Sequence, residues 1–136
     1  MYDYNFKLSR VIDGDTIVGH IDLGFGVVLK DRVIRLHGIN TPELRSKNLS
    51  EKILAQKAKQ FVIDTLKGKD ICLMSIRDKK GSFGRILGVI YYKDEEGYEG
   101  DLSTALINEH LAVPYIAGES KTNKQLMRIL IENSEL

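Results

Sequence analysis

The chain has 136 residues, 43% of them hydrophobic, which suits one compact domain with a sizeable core. No apolar run approaches the roughly 20 residues that span a bilayer as a helix, and a single cysteine, Cys72, excludes an internal disulfide. The formal net charge of +1 hides an asymmetry: residues 1–44 carry −1, residues 45–85 carry +7 and residues 86–136 carry −5, a pattern that points to one positive face. The first residues, Met-Tyr-Asp-Tyr-Asn-Phe-Lys, lack the basic start and apolar stretch of a signal peptide. A single domain over residues 1–136, cytoplasmic, monomeric and not associated with membrane, is therefore the expectation.

Tyr4 to Ile12 reads as a first strand and Gly14 to Asp22 as a second, joined by the tight-turn pair Asp13-Gly14. Leu23 to Gly26 makes another turn, and Val27 to His37 a third strand, so the three should pair as a meander. Ser50 is the expected N-cap of a helix whose apolar face is Ile53, Leu54, Ala58, Phe61, Val62 and Leu66, with Gly68 as its stop. Ile71 to Arg77 and Arg85 to Tyr92 return to strand character; Cys72, inside the first of these, reads as a packing residue. A short helix from about Leu102 to Leu111, capped by Asp101 or Ser103, follows, and a last helix from about Thr122 to Asn133 offers Leu126, Ile129 and Leu130 to the core. Five strands with a helix after the third predict an α+β fold: a five-stranded OB-fold β-barrel with about three helices.

Within this frame the stretch Ile34 to Glu43 stands out. Ile34 and Leu36 alternate with Arg35 and His37 as in a half-buried strand, then Gly38 breaks the run and Pro42 holds Thr41 extended. An arginine, suited to bidentate phosphate contact, is thus followed by Asn40 and Glu43, whose oxygens suit a hard cation or an attacking water. Taken singly, Asp15 reads as a turn residue, Arg85 as a surface arginine, and Arg35 with Glu43 as an exposed ion pair. A barrel would bring all four to one rim. His20, His37 and His110 show no spacing for zinc or for a nucleophile–base pair.

Ile12-Asp13-Gly14-Asp15-Thr16, Ile34-Arg35-Leu36, Asn40-Thr41-Pro42-Glu43 and Phe83-Gly84-Arg85 resemble, in order and spacing, the staphylococcal nuclease (thermonuclease) family. The resemblance implies an OB-fold barrel and a calcium-dependent phosphodiesterase acting on DNA and RNA, cleaving the P–O5′ bond to leave a 3′-phosphate. It further implies that Asp15, Asn40 and the Thr41 carbonyl are Ca2+ ligands, that Glu43 orients or deprotonates the attacking water, and that Arg35 and Arg85 grip the scissile phosphate. A compact nuclease of this kind would fit a phage or mobile-element product.

Two departures bear on that expectation. Asn40 stands where the family's well-studied members have an aspartate, so the site loses a negative charge and should need more calcium or prefer another cation. Ser82-Phe83 stands in place of a lysine and a tyrosine; Phe83 can stack on a base, and Lys79 and Lys80 can supply charge from the same loop. Tyr115 is either a core residue or a stacking platform for a nucleobase. The alternative to an enzyme is an OB-fold module that grips nucleic acid through residues 45–85 while Asn40 cripples the metal site.

Overall fold

The computed structural model describes residues 2–76 and 85–135. Its elements in chain order are β1 (Asp3–Asp13), β2 (Thr16–Gly24), β3 (Val27–Leu36), β4 (Ile39–Asn40), α1 (Leu49–Leu66), β5 (Asp70–Ser75), β6 (Arg85–Lys93), β7 (Glu99–Asp101), α2 (Leu102–Asn108), β8 (Val113–Pro114) and α3 (Ser120–Ser134). β1, β2 and β3 form the expected antiparallel meander, and β5 and β6 continue from the other edge of β1. A parallel pairing of β3 with β6, from Val33 opposite Arg85 to Leu36 opposite Gly88, closes the five strands into a barrel. The α+β reading, a five-stranded OB-fold barrel with three helices, holds. The short strands β4, β7 and β8 were not anticipated, being two or three residues long with no room for a readable alternation.

Alternation along the strands fills the barrel. Ile17, Ile34, Leu36, Leu73 and Ile90 have no more than 1% of their surface exposed, and Leu102 and Leu106 of α2 join the same buried cluster. α1 contributes Leu54, Ala55, Ala58, Val62 and Leu66. Ala58 passes over the β1–β2 turn so closely that a Cβ on Gly14 would sit 2.9 Å from its own Cβ and 2.8 Å from Thr41 Cγ2. Glycine at position 14 is thus what lets helix, turn and Thr41 come together.

Several expectations need correction. The N-cap of α1 is Asn48, whose Oδ1 accepts from Glu51 N at 3.0 Å, and Ser50 lies inside the first turn. At the other end the expected stop holds: the helix ends at Leu66 with Lys67 as C-cap, followed by the left-handed Gly68 (φ +71°). Ile53 is 46% exposed, since the buried stripe runs through Leu54 and Ala55 and turns its neighbour outward. α2 stops at Asn108, short of Leu111, while of the two expected caps Asp101 is the one that bonds, its Oδ1 accepting from Ser103 N at 3.0 Å. On α3, Ile129 is exposed while Ile131, beside Leu130, reaches the core. Cys72 is half-buried rather than fully enclosed.

Candidate active site

The site is assembled where several chain segments meet along one groove. The β1–β2 turn delivers Asp15, the end of β3 delivers Arg35, and the segment through β4 delivers Asn40, Thr41 and Glu43. The parallel closure delivers Arg85. Because Arg85 pairs with Val33, it shares a sheet face with Arg35, two residues farther along the neighbouring strand; with ~3.3 Å per residue and ~4.8 Å between strands, the two Cα atoms lie about 8 Å apart. Asp15, Arg35, Asn40, Thr41, Glu43, Arg85 and Tyr115 all line one open groove of about 1070 Å³. Seven positions spread over a hundred residues of sequence converge on it.

Asp15 is the most enclosed of them, 8% exposed. Its Oδ1 accepts from the Thr16 hydroxyl at 3.0 Å and its Oδ2 from Thr41 N at 3.1 Å, and Arg35 Nη1 lies 3.4 Å from Oδ2. Burial alone would raise the Asp15 carboxyl, but hydrogen bonding with Asp13, the Arg35 guanidinium and the Thr41 N–H outweigh it and hold Asp15 below its ordinary value. Asp13 is the counterpart. Burial, then its hydrogen bond with Asp15 and the charge of Asp15, push it up to about 6. The pair behaves as two neighbouring carboxylates that ionise unequally, Asp15 losing its proton first and Asp13 only as the pH rises through about 6.

Arg35 is committed on several sides. Nη1 donates to Leu36 O at 2.8 Å, and Nη2 donates to Ile39 O at 2.9 Å and to Asn40 Oδ1 at 2.7 Å. Adding the contact with Asp15, all four Nη hydrogens have an acceptor nearby, and Nε is the donor left over. The guanidinium therefore fixes the path of residues 36–40 and, through it, where Asn40 and Thr41 sit. Arg85 is exposed and, among the described residues, has neither a hydrogen bond nor an ion pair. Toward the described residues its fork is uncommitted.

Glu43 is also exposed. Its backbone N–H donates to Glu51 Oε2 at 3.0 Å, and Pro42 beside it is fully buried. Tyr115 is 47% exposed and its N–H donates to Gly38 O at 2.9 Å, next to the β4–β8 pairing, so it is a groove residue and not a core one. Lys79, Lys80 and Phe83, expected to contact substrate, lie outside the described residues.

The groove also contains residues that sequence reading passed over. From the sequence Asp13 reads as half of a turn signal and a member of the Asp13-Gly14-Asp15 motif, with no role of its own. Glu51 likewise reads from the sequence only as an acid that favours the dipole of α1, although Asn48-x-x-Glu51 has the spacing of a capping box. Lys124 and Arg128, one turn apart on α3, face the groove as well, a pairing visible in their i, i+4 spacing. Asn123, 8% exposed, holds the chain next to Tyr115: its Oδ1 accepts from Ile116 N at 2.9 Å and its Nδ2 donates to Ile116 O at 2.8 Å.

The donor chemistry suits a hard cation. Asp15 and Asn40 offer oxygens only, without thiolate or imidazole among them, and the buried Thr41 Oγ1 has no hydrogen-bond partner, which leaves a polar atom available to a bound ion or its water. The site is nevertheless lean in charge: no group of three or more His, Cys, Asp or Glu placed to hold a metal occurs among the described residues.

The family model described as staphylococcal nuclease homologue matches residues 33–133, which takes in the end of β3 with Arg35, the Glu43 segment, Arg85 and nearly all of α3. A thermonuclease from Staphylococcus intermedius is 31% identical over 91 residues, 67% of this chain and 51% of that protein. The chain spans about half the length of this curated relative. With the closed OB-fold barrel, and with Arg35, Glu43 and Arg85 inside the matched region, these similarities make the chain a member of the staphylococcal nuclease homologue family.

Proposed function

We propose that the protein hydrolyses phosphodiester bonds of DNA and RNA with low sequence specificity, as a calcium-dependent monomer that leaves 3′-phosphate ends. The observation that carries this reading is the convergence of Asp15, Arg35, Asn40, Thr41, Glu43 and Arg85 on one groove. Exposed bases of single strands or frayed duplex are the preferred targets, with Tyr115 offering a ring for stacking.

A phosphodiester is anionic and repels hydroxide, so the site must neutralise charge and align a nucleophile. Asp15, Asn40 and Thr41 would hold calcium, which when bound supplies positive charge at the phosphate and a site for water. Glu43, exposed on the groove wall, would take a proton from the attacking water. Arg85, exposed and lining the groove, would offer its fork to the phosphoryl oxygens as negative charge builds on them. Arg35 has less to give directly. Its Nε and whichever Nη hydrogen leaves the 3.4 Å contact with Asp15 can reach the phosphate while its remaining bonds keep the 36–40 loop in place.

The test is incubation with plasmid and with single-stranded DNA, in calcium and then in chelator. Cleavage that stops with chelator, and falls by about 10²-fold or more in Glu43→Gln, is expected; cleavage indifferent to both refutes the reading. One observation favours a second reading, a nucleic-acid-binding module with a crippled metal site. Asn40 Oδ1 is already 2.7 Å from Arg35 Nη2, so the amide that should serve the cation also serves the arginine. Tight binding without turnover in calcium would select that alternative.

A further inference from the structure

Glu51 is the third residue of α1, behind the N-cap Asn48. At that position a glutamate ordinarily reaches back to the N–H of the N-cap residue itself, closing a capping box. Here it does not. The Asn48 N–H donates instead to Ser46 Oγ at 3.1 Å, and the Glu51 carboxylate passes over the cap to the loop beyond. Its Oε2 accepts from Glu43 N at 3.0 Å and its Oε1 from Ser46 Oγ at 2.7 Å. Ser46 N in turn donates to Glu43 O at 3.2 Å. Both oxygens of a groove-lining carboxylate are thus directed to the segment that carries Glu43.

The arrangement has a cost and therefore a purpose. It puts a second negative charge on the groove wall beside Glu43, which a helix cap does not require. What it achieves is a fixed backbone at position 43. Pro42 is buried on one side, and on the other the helix start holds the Glu43 N–H through a charge-assisted bond, of the kind about twice as strong as a neutral one. An exposed side chain on a loop inherits its aim from its backbone, and misplacement by about 1 Å can cost on the order of 10²-fold in rate.

We infer that Glu51 is the positioning residue for Glu43: its carboxylate ties the Glu43 backbone to the N-terminus of α1 and so sets where the Glu43 side chain meets the attacking water. The inference rests on the phosphodiesterase reading for its kinetic half, but not for its structural half. Glu51 touches neither water nor phosphate in this role, so its loss should act only through Glu43.

Five proteins decide the matter: the natural sequence, Glu51→Ala, Glu51→Gln, Glu43→Gln, and the double change at 43 and 51. Glu51→Ala should lower kcat by about 10- to 100-fold while KM, and the affinity for a labelled single strand in chelator, stay within about twofold. Glu51→Gln keeps an acceptor for the Glu43 N–H and should recover most of the loss. In the Glu43→Gln background, Glu51→Ala should add no further loss, because the residue it positions is already disabled. An unchanged kcat, a loss confined to KM, or a full second loss in the double variant would overturn the assignment.

Hydrogen exchange gives an answer that needs no turnover. The Glu43 amide should exchange at least about 10-fold faster in Glu51→Ala than in the natural sequence, with the Leu73 amide in the barrel unchanged as a check on folding. If the natural protein does not cleave nucleic acid, the phosphodiesterase reading fails while this comparison still decides whether Glu51 holds Glu43. An unaltered Glu43 amide rejects the positioning role whatever the activity.

Discussion

Replacing Gly14 with alanine isolates the contact on which the site's geometry depends. The added Cβ would lie 2.8 Å from Thr41 Cγ2 and 2.9 Å from Ala58 Cβ, where carbon atoms rest at about 3.5–4.0 Å. Both neighbours are buried, at 6% and 0% exposure, and neither is the far end of a flexible side chain. Gly14 is not in the left-handed region, so alanine adds no backbone strain and the whole effect comes from overlap. Overpacking of this kind costs about 1–3 kcal/mol. Moving Thr41 also stretches the 3.1 Å bond from its N–H to Asp15, so about 2 kcal/mol is a fair central figure. At roughly 2.1 cal/mol/K of unfolding entropy per residue, that lowers Tm by about 7 °C. Thermal unfolding followed by circular dichroism in chelator measures it without interference from metal. A Tm within about 2 °C of the natural protein would show that α1 and Thr41 move aside freely, and that the close packing at Gly14 does not hold the site.

Three further outcomes follow from the same geometry. Arg85→Ala should leave Tm unchanged but lower the rate on single-stranded DNA by about 10²–10³-fold, whereas Arg35→Ala should lower both, destabilising by about 2–4 kcal/mol because three bonds and the Asp15 contact go together; equal Tm losses in the two variants would contradict this division. Asn40→Asp restores a negative charge beside Asp15 and should lower the calcium concentration giving half-maximal activity, and an unchanged requirement would mean that position 40 does not limit metal binding. Burial, then the charge of Asp3, push the Cys72 thiol up, so at pH 8 it carries less thiolate than an ordinary cysteine. Iodoacetamide should therefore modify it more slowly than a free cysteine in the same buffer; an equal or faster rate would contradict that environment.

The barrel was legible because its strands alternate: Ile17, Ile34, Leu36 and Ile90 announce an interior by period two. The site was legible for a different reason, since acids, amides and arginines beside turns have little to do in a core. What escaped the sequence depends on pairing across distance. Nothing in the residues around Arg35 says that its fork will be taken by Leu36 O, Ile39 O and Asn40, and nothing near Glu51 says that its carboxylate will bypass the cap. The N-cap was misplaced to Ser50 because serine and asparagine compete for that role on nearly equal terms, and the choice fell to whichever could reach Glu51 N. Ile53 and Ile129 were misassigned because hydrophobicity marks candidates for a buried stripe without fixing where its borders fall.

The parallel ladder between residues 33–36 and 85–88 has a consequence for how the chain acquires competence. It joins segments some fifty residues apart, so it forms only after a long loop has closed. The first forty-odd residues, emerging first during synthesis, can pair as a meander with Asp15 and Arg35 already in hand, yet they lack Arg85. Until the last staves of the barrel come together the groove is only part-built, and the side chains on which the proposed activity depends meet at the final closure.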